Sequence, residues 1–265
     1  MNHGFFRGAG PAIVLAMGAT LGGCNMSWDM SNFEGVPLSE LDLSGEAPTG
    51  LELAGPDTVV VTEGSEFAVT VDGDPDAVEA VRFDREGETL EIGRDTDVFD
   101  GSGKATIRVT MPAPRELGIA GSGAIEADTM ASDAEIGIAG SGDIKVTQIT
   151  ADRLEVNIAG AGDVSTAGTA KELEISIAGS GSAELAELKA DTVEISIAGS
   201  GDIDLASDGT VKASIAGSGD INVVGNATCS LDAAGSGSLN CNPAPTEAVA
   251  AIEDDSGEDE DAAAE

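Results

Sequence analysis

The stretch that decides the fold is Ile138-Ala139-Gly140-Ser141-Gly142-Asp143-Ile144, because its central four residues recur along the chain. Copies of Ala-Gly-Ser-Gly, once Ala-Gly-Ala-Gly, begin at Ala120, Ala139, Ala159, Ala178, Ala198, Ala216 and Ala234. The first and last copies begin 114 residues apart over six intervals, so the mean period is 19 residues. This period is too short for a helical hairpin repeat. Apolar and polar residues alternate on both flanks, which predicts β-strands.

Aligning the seven copies on this turn produces columns of apolar side chains. The position before the alanine carries Ile119, Ile138, Ile158, Ile177, Ile197, Ile215 and Ala233. A second column, after the turn, carries Ile125, Ile144, Val164, Ala183, Ile203, Ile221 and Leu239. Such columns are typical of an all-β, single-stranded parallel β-helix, in which coils about 4.8 Å apart stack equivalent side chains in the core. The corner itself favours glycine because stacked backbone leaves little room for a Cβ.

Two further columns are acidic and are predicted to face outward. One contains Glu116, Glu135, Glu155, Glu174 and Glu194, and a second, broken column contains Asp143, Asp163, Asp202 and Asp220. Carboxylates about 4.8 Å apart repel by about 0.9 kcal/mol in water, whereas burying one isoleucine gains about 1.5 to 3 kcal/mol. The core therefore tolerates the acidic face, which is expected to be solvated. Calcium binding between coils is the alternative for this face, since calcium takes six to eight oxygen ligands.

The amino terminus is predicted to be a secretory signal over residues 1–23. Arg7 precedes an apolar run that is too short to span a bilayer, and the run ends in Leu21-Gly22-Gly23-Cys24. This ending resembles the lipobox of bacterial lipoproteins, in which the cysteine is acylated and becomes the first mature residue. The resemblance implies a lipid anchor at Cys24, and Asn25 after it favours the outer membrane. The side of the membrane stays open.

The rest of the chain divides by composition. Residues 24–48 are predicted to be a tether, residues 49–116 irregular N-terminal β coils, and residues 117–244 the regular repeats of about seven coils. Residues 245–265 are predicted to be an acidic disordered tail, since residues 247–265 carry nine acids and no base.

A disulfide is predicted between Cys229 and Cys241, the thiols that remain once Cys24 is acylated. Each takes an apolar column position in the last coil, where no further coil covers the core. An oxidising envelope favours the bond. Two buried free thiols are the alternative, because inward positions on different strands can lie more than about 7 Å apart at Cα.

Composition excludes several function classes. With 49 acidic and 12 basic residues the net charge is −37, so phosphates of nucleic acid would be repelled. The single histidine, His3, lies in the predicted signal, and without it Ser/His/Asp and Cys/His catalysis cannot be assembled. No catalytic, cofactor-binding or metal-ligating residue is therefore assigned, and no cofactor is expected.

The chain resembles the family of head GIN domains of suggested auto-transporter adhesins. The resemblance rests on residues 55–61 through 90–92, then on residues 138–144 and their copies, and covers about residues 49–241. It implies a right-handed parallel β-helix on a secreted or lipid-anchored bacterial protein, and it brings no catalytic motif.

These observations favour a non-enzymatic lipoprotein of the cell envelope that presents a rod for adhesion, surface interaction or assembly. Its expected partners are the membrane, through Cys24, and an envelope or surface protein or glycan. A small-ligand or cation-binding module is the second hypothesis. A polysaccharide-active enzyme is a distant third, because the six basic residues of the repeats lie at different offsets.

Overall fold

We describe a computed structural model of the protein over residues 35–95, 97–98 and 103–242. Its strands form one sheet that coils into a parallel β-solenoid of about seven turns with a period of about 19 residues, which confirms the predicted fold class. The N-terminal strands are β1 (Gly50–Gly55), β2 (Thr58–Glu63), β3 (Ala68–Gly73), β4 (Val81–Glu86), β5 (Thr89–Arg94) and β6 (Ala105–Met111). The strands of the repeats are β7 (Glu116–Gly121), β8 (Ala124–Ala127), β9 (Asp133–Gly140), β10 (Asp143–Gly160), β11 (Asp163–Gly179), β12 (Ser182–Gly199), β13 (Asp202–Gly217), β14 (Asp220–Val224), β15 (Thr228–Gly235) and β16 (Ser238–Asn242).

The apolar columns face the interior of the solenoid, as the alternation predicts. Ile158 pairs in register with Ile138 below and Ile177 above, so equivalent side chains stack coil upon coil. Both apolar columns are buried from β7 to β14, and the core runs without interruption through these coils. Stacking of equivalent β-branched residues explains why one short motif can specify the entire regular part.

Each repeat turns at its Ala-Gly-Ser-Gly corner. Gly160, the first glycine of one corner, has a φ of 133°, which disfavours any residue with a Cβ. The second glycine, Gly162, has no such backbone, yet a Cβ on it would lie 2.6 Å from Cγ2 of Ile138. The first glycine is therefore required by its backbone conformation as well as by steric exclusion, and the second by steric exclusion alone.

The N-terminal coils do not stack in sequence order. The coil formed by β1 and β2 lies between the first repeat (β7 and β8) and a coil formed by β5 and β6. The chain thus makes one coil, passes to the end of the solenoid, and returns to continue the stack on the other side. Sequence alternation predicts the strands but not this insertion, because alternation carries no information on which strand lies next to which.

A cap closes this end of the solenoid, and here the structure differs from the expected coils. Strands β3 and β4 pair antiparallel with β6 and β5, and the short helix α1 (Pro75–Ala80) lies between them in the chain. Asp74 caps the helix by accepting a hydrogen bond from the Asp76 amide, and Pro75 is its first residue. Phe83 is 1% exposed and fills the end of the core.

A buried ion pair lies at the Gly55-Pro56-Asp57 corner between β1 and β2, which lacks the repeat motif. Asp57 accepts hydrogen bonds from Nε and Nη2 of Arg94 and, at 2.7 Å, from the amide of Ala105. Arg94 ends β5 and Ala105 begins β6, so one carboxylate ties both ends of the connecting loop. Removing a partner from such a buried pair is strongly destabilising. Sequence analysis did not single out these residues.

The segment before β1 lies against the cap. Val36 forms an antiparallel bridge with Phe83, and a 3-10 helix follows at Leu38–Glu40. Arg85 of β4 donates hydrogen bonds to the carbonyl oxygens of Asp42, Ser44 and Glu46. These residues fall within the stretch 24–48 that was expected to be a tether. In the structure, the C-terminal part of this stretch is held against the solenoid by these contacts.

Candidate functional site

The acidic columns are aligned as the sequence predicts. Glu135 lies in register with Glu116 below and Glu155 above, and the column continues through Glu174 to Glu194. In the next coil Lys212 takes the same position, so the acidic column ends there. The face is therefore a continuous strip of carboxylates along five coils.

The lower part of this strip is the more buried. Burial raises the pKa of Glu116, and burial followed by the charges of Glu155 and Glu116 raises the pKa of Glu135. Asn157 and Arg153 oppose the shift at Glu135. A raised pKa means that the folded protein favours the neutral acid here, so these two carboxylates are destabilising when ionised. A uniformly solvated face does not describe this part of the strip.

Basic side chains bridge successive coils on the outer surface. Arg153 contacts Glu174 of the next coil at 2.7 Å, and Lys171 contacts Asp152 of the previous coil at 2.5 Å. The hydrogen bond from Lys171 lowers the pKa of Asp152. Because these side chains are mostly exposed, each pair adds little stability. Lys189 likewise contacts Asp208 of the next coil at 2.5 Å.

The last coil carries both cysteines named by the sequence. Cys229 of β15 lies above Val211, and Cys241 of β16 lies above Val223. The structure joins them in a disulfide with their Cα atoms 6.7 Å apart, within the range that the bond requires. The bond connects the two strands across the end of the solenoid. Formation of this bond in the isolated protein stays a prediction.

A shallow polar cavity of about 510 Å³ lies beside the first repeat, at a bend between strands. Its lining contains two acids and four uncharged residues, namely Glu63, Asp128, Thr129, Met130, Gln148 and Thr150. Sequence analysis did not find it because the lining comes from three separate coils. Met130 is buried, at 4% exposed, whereas Glu63, Asp128, Gln148 and Thr150 are exposed to solvent.

Some features bear on membranes and metals. Within the described ranges no helix has the length and apolar character that crossing a membrane requires. Among the same residues, no three His, Cys, Asp or Glu side chains converge as metal ligands do. Cys24, the signal 1–23 and the tail 245–265 lie outside the described residues.

Solved structures of similar fold come from species of Parabacteroides and Bacteroides. A "putative lipid binding protein" from Parabacteroides distasonis is 24% identical, with a TM-score of 0.60 over 74% of this chain and 93% of its own. A "putative adhesin" from Bacteroides fragilis is 21% identical, with a TM-score of 0.66 over 75% of this chain and 93% of its own. At these identities the likeness shows the fold alone. No match was found among curated proteins.

The family comparison covers more than half of the chain. A family model described as "Putative auto-transporter adhesin, head GIN domain" matches residues 47–227, which span the inserted coil, the cap and the repeats up to β14. The match agrees with the resemblance noted in the sequence and suggests a protein of the cell envelope or surface. The chain therefore belongs to the head GIN domain family of putative auto-transporter adhesins.

Proposed function

We propose that the protein is a non-enzymatic envelope lipoprotein, anchored through Cys24 to the outer membrane, that presents its solenoid for adhesion, surface interaction or assembly. The observation that carries this proposal is the position of the N-terminal segment. Residues 36–46 are fixed to the capped end by Arg85 and by the Val36 bridge. The opposite end of the solenoid is therefore the one presented.

The dimensions fit presentation at a surface. Cys24 and Gly35 are eleven residues apart, so the capped end lies within about 40 Å of an anchored lipid. From β4 to β15 the solenoid has ten layers along one side, and nine spacings of about 4.8 Å make a rod about 43 Å long. A continuous buried core along the repeats holds that length without a hinge.

Anchoring is tested on membranes of cells that produce the protein. We expect mass spectrometry of the detergent-extracted chain to find an acylated Cys24 at the N-terminus, and the chain to partition with membranes. Cys24→Ser should release it into the soluble fraction, while Cys241→Ser, a matched thiol loss, should not. Intact Met1, or a Cys24→Ser chain still held by membranes, would contradict the anchor.

Adhesion is tested with beads that carry the Cys24→Ser protein through its N-terminus. We expect these beads to bind envelope preparations or cells more than beads that carry the heat-denatured chain. Equal binding by folded and denatured protein would show that charge alone is responsible and would contradict an adhesive solenoid.

Cation binding is the second candidate, and the crowded lower part of the acidic strip favours it. Burial and then the charges of Glu155 and Glu116 raise the pKa of Glu135, and a bound cation would relieve the repulsion between these charges. Calcium in micromolar amounts would then raise the melting temperature by several degrees while magnesium would not. Glu135→Gln should abolish this difference, and Glu184→Gln, an exposed acid of β12, should leave it unchanged.

A further inference from the structure

The two ends of the solenoid are built differently. At the N-terminal end, β3, β4 and α1 cover the coil formed by β5 and β6. At the other end, β15 pairs with β13 and β16 pairs with β14, and within the described residues neither has a partner on its outer side. Leu231 is 41% exposed there, whereas its counterpart Ala213 in the coil below is 7% exposed. An exposed strand edge beside apolar side chains is a surface for pairing.

Charge is almost absent from this end. Residues 225–242 contain a single charged residue, Asp232, whereas β12 alone (Ser182–Gly199) contains five. Charged edge residues, prolines and covering elements are the usual protection of a strand edge, and the described part of this coil has none except Asp232. On a chain with a net charge of −37, this is also the surface where two copies meet with the least repulsion.

We propose that the last coil, β15 with β16, pairs with the last coil of a second copy of this chain. A two-fold axis places the same strand of both copies at the contact, and the self-complementary arrangement closes as a dimer. The outer edge of β15 adds backbone hydrogen bonds, and Leu231 and Ala233 supply the apolar contact. Side-by-side association would instead bring the acidic strips of two rods together.

The contact is small, so the dimer belongs to the weak, transient class. Nine acids lie in residues 247–265, directly after this end, and their repulsion opposes the pairing. Monovalent salt screens such repulsion, so the dimer is expected to strengthen with salt. If the anchor at Cys24 holds, the paired ends lie away from both membranes and join facing surfaces. That consequence rests on the proposed function, whereas the pairing itself does not.

The experiment is sedimentation velocity on the full chain with Cys24→Ser, purified under oxidising conditions. Protein concentration runs up to about 1 mM, in sodium chloride of about 50 mM and about 500 mM. We expect a monomer–dimer equilibrium that strengthens at high salt, with slower amide exchange in β15 of the dimer. Leu231→Lys and Ala233→Lys should each weaken association by at least about tenfold. Ser196→Lys, an exposed change in mid-rod, is the control with the same charge.

Each other outcome overturns the proposal. A chain that stays monomeric at the highest concentration and salt does so directly. A dimer lost with Ser196→Lys but kept with both end variants would place the contact on the side of the rod. A dimer that forms only after residues 243–265 are removed would show that these residues, rather than a second copy, occupy the end. Circular dichroism melts confirm that each variant is folded.

Discussion

The corner glycines show at the scale of one residue how the solenoid is closed. Gly160 needs its backbone conformation, and a Cβ there would also meet the carbonyl oxygen of Gly140 one coil below. Gly87, in the turn between β4 and β5, also has a positive φ, of 62°, but an added Cβ would meet nothing within 4 Å. A comparison of Gly160 with Gly87 therefore separates the cost of conformational strain from the cost of steric exclusion.

We predict that Gly160→Ala destabilises the protein by about 3 kcal/mol or more, because strain and overpacking add. Gly87→Ala should cost about 1 to 2 kcal/mol, the strain alone. Urea unfolding followed by circular dichroism measures both values. Equal costs for the two variants would show that neighbouring coils move apart easily at the corner.

The direction of each side chain, into the core or toward solvent, is a second property determined residue by residue. Ile197 is 2% exposed and stacks between Ile177 and Ile215, whereas its neighbour Ser196 is exposed. We predict that Ile197→Asp costs at least about 3 kcal/mol, since it buries a charge with no partner. Ser196→Asp should change stability by no more than about 0.5 kcal/mol. Similar urea midpoints for the two variants would contradict the facing of this strand.

At the scale of the element, the last coil depends on the bond between β15 and β16. The cysteines are 12 residues apart, and closing a loop of that size contributes about 3 kcal/mol. We predict that the double change Cys229→Ala and Cys241→Ala speeds amide exchange in β15 and β16 by about 100-fold. Exchange in β11, an interior strand, is the control and should stay as it is.

Thiol alkylation tests whether the bond forms at all. In the folded Cys24→Ser chain, purified without reductant, we expect no thiol to be labelled. Labelling of two thiols per chain before reduction would show free cysteines, the alternative that the sequence left open.

Elements also show how far the sequence alone could predict this fold. The alternation around Ile138 and the columns through Ile158 specify β7 to β16, because each coil repeats the environment of the one before. The cap is different, since β3 and β4 pair antiparallel and α1 is a single short helix without a repeat to reveal it. Long-range order, such as the insertion of β1, depends on which edge is free and leaves no local pattern.

For the candidate surfaces too, the sequence predicts what repeats from coil to coil but not what depends on contacts between different coils. The acidic strip follows from a column, so the register of Glu116 with Glu135 could be read in advance. The partial burial of these two glutamates could not, because it depends on neighbouring side chains from other coils. The ion pair between Asp57 and Arg94 was hidden for a related reason, since the two residues are 37 positions apart and meet because β1 lies next to β5.

At the scale of the whole molecule, the charged side chains lie along the rod and are nearly absent from the end formed by β15 and β16. The pKa values of Glu116 and Glu135 are raised above their usual value of 4.5. Those of Asp152 and Asp208 are lowered below 3.8 by hydrogen bonds that the carboxylates accept, from Lys171 for the former and from the Asn226 amide for the latter. These two sets act in opposite directions when the pH falls.

We predict that stability rises as the pH falls from 7 toward 4.5 and declines below about 3.8. In the upper range the folded state binds protons more tightly at Glu116 and Glu135, so protonation favours folding. Below about pH 3.8, Asp152 and Asp208 bind protons more tightly in the unfolded state than in the folded state. Stability is therefore lost as the pH falls through their folded pKa values.

The variant Glu135→Gln distinguishes local repulsion within the acidic strip from the effect of lowering the net charge of −37 of the whole chain. We predict that this change raises stability at pH 7 by about 0.2 to 1 kcal/mol, the cost of like charges opposite each other on neighbouring strands. It should also reduce the gain in stability as the pH falls from 7 to 4.5, because one of the two carboxyls with a raised pKa is removed. Glu184→Gln removes the same charge from an exposed site and should leave the slope nearly unchanged. Urea unfolding at each pH measures both, and identical slopes would mean that total charge, rather than the stacking of Glu135 between Glu116 and Glu155, sets the response to pH.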